Sequence, residues 1–123
     1  MNVSLAAIGC VLLSVTAQFL IKAGMTSTAV KSALALASSA PLKSAATVIT
    51  SIPVLSGLAL YTLGAVVWLW VLARWDVSKA YPLEGLGFAL AVFVGFMVGE
   101  QVTVARTCGV LLICLGVVLV SAS

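Results

Sequence analysis

The sequence predicts an all-α membrane protein of four transmembrane helices, with short amphipathic helical segments between the first and second. Three observations carry this. Of 123 residues, 63% are hydrophobic and only 7% are charged, whereas a water-soluble domain keeps roughly a quarter of its residues charged. Four apolar runs approach the ~20 residues that a bilayer crossing needs. The few polar groups inside those runs fall at helical spacing rather than at random. Composition also excludes function classes. There is no histidine, acids number three, and the three cysteines form no CxxC pair; this predicts no catalytic site, no metal and no cofactor. The net charge of +3 comes from six scattered basic residues, which suit headgroup anchoring rather than nucleic acid.

The first span covers residues 3–23. It lacks a basic leader and is too long for a signal core, so it reads as a retained helix. Ser14, Gln18 and Lys22 recur every fourth residue and form a polar stripe that should face other helices. Plain interhelical hydrogen bonds and a snorkelling Lys22 remain the alternative. Residues 26–52 are rich in Ser, Thr and Ala and contain Lys31, Pro41 and Lys43. Val30, Ala33, Leu34 and Ala37 share one helical face; Leu42, Ala45, Ala46 and Ile49 share another. Two short interfacial helices broken near Pro41 fit this pattern, and an ordered loop is the other reading.

The second span, 53–73, opens on Pro53 and places Gly57, Tyr61, Gly64 and Trp68 on one face, where small residues permit close helix approach. Trp70 and Trp75 read as an interfacial belt, and Arg74 to Lys79 as a tight polar turn in which Asp76 or Ser78 caps the next helix. The third span, 77–98, organises the chain, because it carries one carboxylate, Glu84, within an apolar run. An acid there is costly and marks a functional site. Tyr81, Glu84, Gly85 and Phe88 share a helical face, which is expected to wall a small polar cavity between packed helices. Pro82 removes a backbone donor and predicts a kink or opening. Gly95 and Gly99 form a GxxxG pattern that permits packing. Glu100 is expected to serve the last turn, pairing with Arg106. The fourth span, 104–121, is almost wholly apolar; Gly109, Leu112 and Gly116 on one face predict helix packing and dimerisation. All four spans form a single domain, residues 1–123, on this reading. Basic residues in the loops favour both termini outside by four to two, which leaves orientation, single or dual, open.

Trp68-Leu-Trp-Val-Leu, Ser78-Lys-Ala-Tyr-Pro-Leu, Gly99-Glu, Arg106-Thr-Cys-Gly and the run from Leu111 to Val120 together resemble the drug/metabolite transporter superfamily. Its small members, the small multidrug resistance transporters and single-repeat EamA-type proteins, are most similar, above all the small subunits of the flippase for undecaprenyl phosphate-linked aminoarabinose. The resemblance covers roughly 3–22 and 53–120 and leaves 25–52 unmatched. The essential glutamate that multidrug exporters carry eight residues before a lysine falls on Ser14, eight before Lys22, so proton-coupled exchange by that residue is lost. The family's Ala-Tyr pair matches Ala80-Tyr81, and an exporter's cavity tryptophan position matches Glu84.

The resemblance implies a transporter in the bacterial inner membrane, multi-pass, that moves a polyprenyl phosphate-linked aminosugar or a similar amphipathic substrate. It would be a homodimer or a heterodimer with a similar small subunit. Glu84, Tyr81, Gln18, Ser14, Trp68 and Lys22 would then contact the substrate, and Arg74 and Lys79, with Lys22, its phosphate. A proton-coupled efflux transporter for small cations or metabolites, using Glu84, and an accessory subunit without transport are the other readings.

Overall fold

The computed structural model describes residues 2–123. Among them there is no strand, and four helical stretches are long and apolar enough to cross a membrane: Val3–Met25, Ile52–Leu72, Val77–Met97 and Val104–Ala122. The chain is a multi-pass membrane protein. We label its helices α1 (Val3–Met25), α2 (Thr28–Ala35), α3 (Pro41–Thr50), α4 (Ile52–Leu72), α5 (Val77–Ala80), α6 (Gly85–Met97) and α7 (Val104–Ala122), with a 3-10 turn, Tyr81–Glu84, joining α5 to α6. The residues form two compact units, Thr16–Leu63 and the remainder.

In the unit Thr16–Leu63, the second half of α1 meets the first half of α4 with almost no gap. A Cβ added to Gly57 would stand 2.6 Å from Ile21 Cγ1 and 2.9 Å from the Ala17 carbonyl oxygen. Glycine is needed because main chain, and not only the Ile21 side chain, occupies the space. The expected break near Pro41 is present, with Pro41 in the first turn of α3. There its missing N–H costs no intrahelical bond. Ser27 caps α2, its hydroxyl oxygen accepting from the Val30 amide at 3.4 Å. The polarity of α3 is the reverse of that in a soluble hairpin. Ser44 is buried against α2, its hydroxyl 2.6 Å from the Ala33 carbonyl and 2.9 Å from that of Ala40. Leu42 and Ile49 point away, and Leu42 is 86% exposed. A helix that turns its apolar residues outward suits a lipid surface.

In the other unit, Ala6 and Ala7 of α1 pack with Val71 of α4 and Ala80 of α5, and Trp68, Trp75 and Leu83 close around them. On α4, Gly64 accepts a weak bond from the Cys10 thiol, Sγ to carbonyl oxygen 3.5 Å. Gly85 faces Ile113 and Val117 of α7, whereas Gly87 faces Val11 and Val15 of α1. Helix α6 therefore runs between two neighbours. The Gly95–Gly99 pair does different work from the packing role its spacing suggests. Gly99 has φ +93°, the left-handed conformation that favours glycine. The Glu100 amide donates to the Gly95 carbonyl at 2.8 Å and the Gly99 amide to that of Phe96 at 3.2 Å. This is a Schellman stop, and the Glu100 side chain folds over Gly95. Thr103 then caps α7, accepting from the Arg106 amide at 3.2 Å. Arg106 itself donates through Nη1 to the Gln101 carbonyl at 2.8 Å.

Candidate functional site

Glu84 ends the 3-10 turn at Tyr81–Glu84. Pro82 explains that turn: it brings no N–H to an α-helical bond, so the chain tightens for one turn before α6 resumes. Seven residues separate Glu84 from the start of α5, about 10 Å of rise at 1.5 Å per residue. The carboxylate is therefore within the span and not at its edge.

Its surroundings differ from the expected closed cavity. Glu84 is exposed in the single chain, and so are Tyr81 and Phe88, at 66% and 64%. The shared face exists, but one chain does not cover it. Gly87, on one flank of that face, touches α1, and Gly85, on the other, touches α7. The glutamate belongs to the strip of helix left between these two contacts.

The other expected contact residues divide. Trp68 is half-buried and packs into the core around Val71 and Ala80 rather than lining an open site. Ser14 is half-buried in the same unit as Glu84, whereas Gln18 and Lys22 are exposed and belong to the unit Thr16–Leu63. The two basic residues proposed for phosphate are stacked on the aromatic belt. The Arg74 guanidinium carbon lies 3.9 Å from the Trp70 ring centroid, and Lys79 Nζ lies 4.6 Å from that of Trp75. Such cation–π contacts hold each charge at the level of the indole, where bilayer headgroups begin. The helix-packing face expected on α7 is unpacked within the chain: a Cβ on Gly109 or Gly116 would meet nothing within 4 Å, and Leu112 is 70% exposed.

A feature that spacing alone did not show is a groove built by α1, α5, α6 and α7. Its middle is a cavity of about 270 Å³ lined by Ser4, Trp75, Lys79 and Ser121 above Ile8, Leu83 and Leu86. An apolar slot of about 150 Å³ continues from Ile8, Leu83 and Leu86 to Val11, Leu12 and Leu90. On the opposite side, Lys79 and Ser121 also border a polar cavity of about 250 Å³ with Asp76, Ser78 and Ser123. The alternation of antiparallel spans would have placed Ser4, Asp76, Lys79 and Ser121 at one bilayer edge, and that was the signal available in the sequence.

These features define a small helical membrane protein with an acid on an open intramembrane face and an amphipathic groove at one edge. Comparison with known proteins narrows the class. The chain is 46% identical over 56 residues to the probable 4-amino-4-deoxy-L-arabinose-phosphoundecaprenol flippase subunit ArnE of Pseudomonas savastanoi pv. phaseolicola, covering 45% of this chain and 49% of that protein. It is 40% identical over 76 residues to the corresponding ArnF subunit of Photorhabdus laumondii subsp. laumondii, covering 57% and 58%. A third similarity, to ArnE of Pseudomonas fluorescens, is 45% over 65 residues, covering 50% and 57%. The chain thus spans about half the length of the curated relatives it matches. No family model matches it, and no solved structure matches it. The resemblance read from the motifs and the similarity found by alignment point to the same group, the aminoarabinose flippase subunits.

Proposed function

We propose that this chain is a subunit of a translocator that carries a polyprenyl phosphate-linked aminosugar across the bacterial inner membrane. The observation that carries the reading is its 40–46% identity to flippase subunits named for such a lipid. The chemistry of Glu84 supports it. A carboxylate withdrawn from water prefers a cationic, hydrogen-bonding partner, and the amine of an aminosugar is one. Translocation needs no covalent step.

The working unit in this proposal is a pair, either two copies or this chain with a similar small subunit. The open face of Tyr81, Glu84 and Phe88 becomes the wall of a cavity when a second subunit covers it, and the unpacked α7 face of Gly109, Leu112 and Gly116 supplies a place for close helix approach. Movement is then the rocking of one subunit against the other around a fixed site.

The test labels intact cells with a membrane-impermeant amine reagent and measures lipid-linked aminosugar in the outer leaflet. Cells with the wild-type chain should label. Glu84→Gln should reduce labelling at least tenfold at equal membrane abundance, and Glu84→Asp should recover part of it. Labelling by Glu84→Gln equal to wild type would sink the proposal.

A further inference from the structure

We infer that the groove between α1, α5, α6 and α7 is a docking site for the whole lipid-linked aminosugar at the membrane edge: sugar amine at Asp76, phosphate at Lys79, and isoprenoid chain in the slot beside Leu86. The inference rests on the proposed function for the identity of the lipid. It is separate from the Glu84 face, since Glu84 does not line any of the three cavities.

The order of chemistry along the groove is the argument. The polar cavity carries one acid and one base, Asp76 and Lys79. Neither is engaged in an ion pair among the described residues. Asp76 stands at the N-cap position of α5 without making a side-chain cap bond. A phosphate-linked aminosugar carries both signs, an ammonium and a phosphate, and is complementary to that pair. The middle cavity keeps Lys79 and adds the hydroxyls of Ser4 and Ser121 beside the Trp75 ring, which are donors suited to phosphate oxygens. Trp75 also holds Lys79 Nζ 4.6 Å above its ring, fixing the charge at the headgroup level.

Below this the lining becomes wholly aliphatic, and the slot is about 150 Å³. An aliphatic lining of this kind suits a hydrocarbon chain and offers nothing to a polar group. A phospholipid whose headgroup has no amine leaves Asp76 without a partner. The acid–base pair above the aliphatic slot therefore favours an isoprenoid phosphate bearing an amine.

The experiment measures retention of three probes by the purified protein with native mass spectrometry: undecaprenyl phosphate, its aminoarabinose conjugate, and dioleoyl phosphatidylglycerol. Wild type should retain the conjugate best and phosphatidylglycerol least. Lys79→Gln should weaken both undecaprenyl lipids at least tenfold, and Lys79→Arg should keep them. Asp76→Asn should remove the preference for the conjugate and leave undecaprenyl phosphate unchanged. Leu86→Trp, which fills the slot, should displace both. The inference is overturned if Lys79→Gln and Asp76→Asn retain all probes as wild type does, or if phosphatidylglycerol competes equally. A wild-type protein that holds the conjugate in this way but leaves it untranslocated in cells overturns the proposed function and not this site.

Discussion

Replacing Gly57 with alanine should destabilise the chain, although alanine is the better helix former. The added Cβ would stand 2.6 Å from Ile21 Cγ1, 2.9 Å from the Ala17 carbonyl oxygen and 3.1 Å from the Ile21 amide nitrogen. Carbon atoms in contact prefer about 3.5–4.0 Å, so the shortfall is about 1 Å. Rotation of Ile21 relieves only the first clash, because the other two atoms are helix backbone. Helices α1 and α4 must separate locally, and overpacking of this kind costs about 1–3 kcal/mol. The intrinsic gain of alanine over glycine, at most about 1 kcal/mol, offsets part of it. Gly9→Ala is the internal control, since a Cβ there meets nothing within 4 Å and only the gain applies. The two variants should differ by about 2 kcal/mol, or roughly 30-fold in the unfolding constant at 1.4 kcal/mol per decade. Unfolding by denaturing detergent in mixed micelles, followed by helical circular dichroism, reads this difference. If Gly57→Ala is as stable as Gly9→Ala, the close approach of α1 and α4 is refuted.

Other substitutions test other parts of the fold. Gly99→Ala forces a Cβ onto a residue with φ +93° and should cost about 1 kcal/mol; faster hydrogen exchange at the Gly99 and Glu100 amides reports the lost helix stop. Ser44→Ala removes the hydroxyl that joins α3 to the Ala33 carbonyl and should cost about 1–2 kcal/mol. Its signature is increased exchange at Val30 without a change in the longer helices.

The spans were legible because burial in lipid requires length and apolarity together, and both are written in composition. Pro41 and Pro82 were legible for a local reason: each lacks an N–H, and a helix start or a tightened turn accommodates that with little neighbour influence. Contacts between helices were less legible. Periodicity put Tyr81, Glu84 and Phe88 on one face but could not say whether one chain covers it. The same limit applies to Gly109 and Gly116, whose spacing fits a packed face that the single chain leaves open. Gly95 and Gly99 spell a packing motif, yet one of them ends a helix; spacing does not encode φ. In α3 the apolar face was visible, but not that it would turn outward while Ser44 turned in.

The exposure of Glu84 bears most directly on how the protein works. A charged side chain facing hydrocarbon near the bilayer centre costs about 2.5–3.5 kcal/mol on insertion scales, and more by other measures. At about 10 Å of helix rise from the start of its span, the glutamate is too deep for its short side chain to reach water as a lysine can. A chain that keeps an acid there with no covering helix of its own is energetically incomplete, and the partner subunit we propose completes it. The same partner would surround the carboxylate with a low-dielectric wall, which strengthens its attraction for an amine. On this reading the feature that makes one chain costly in lipid is the feature that gives the pair its affinity for a cationic sugar.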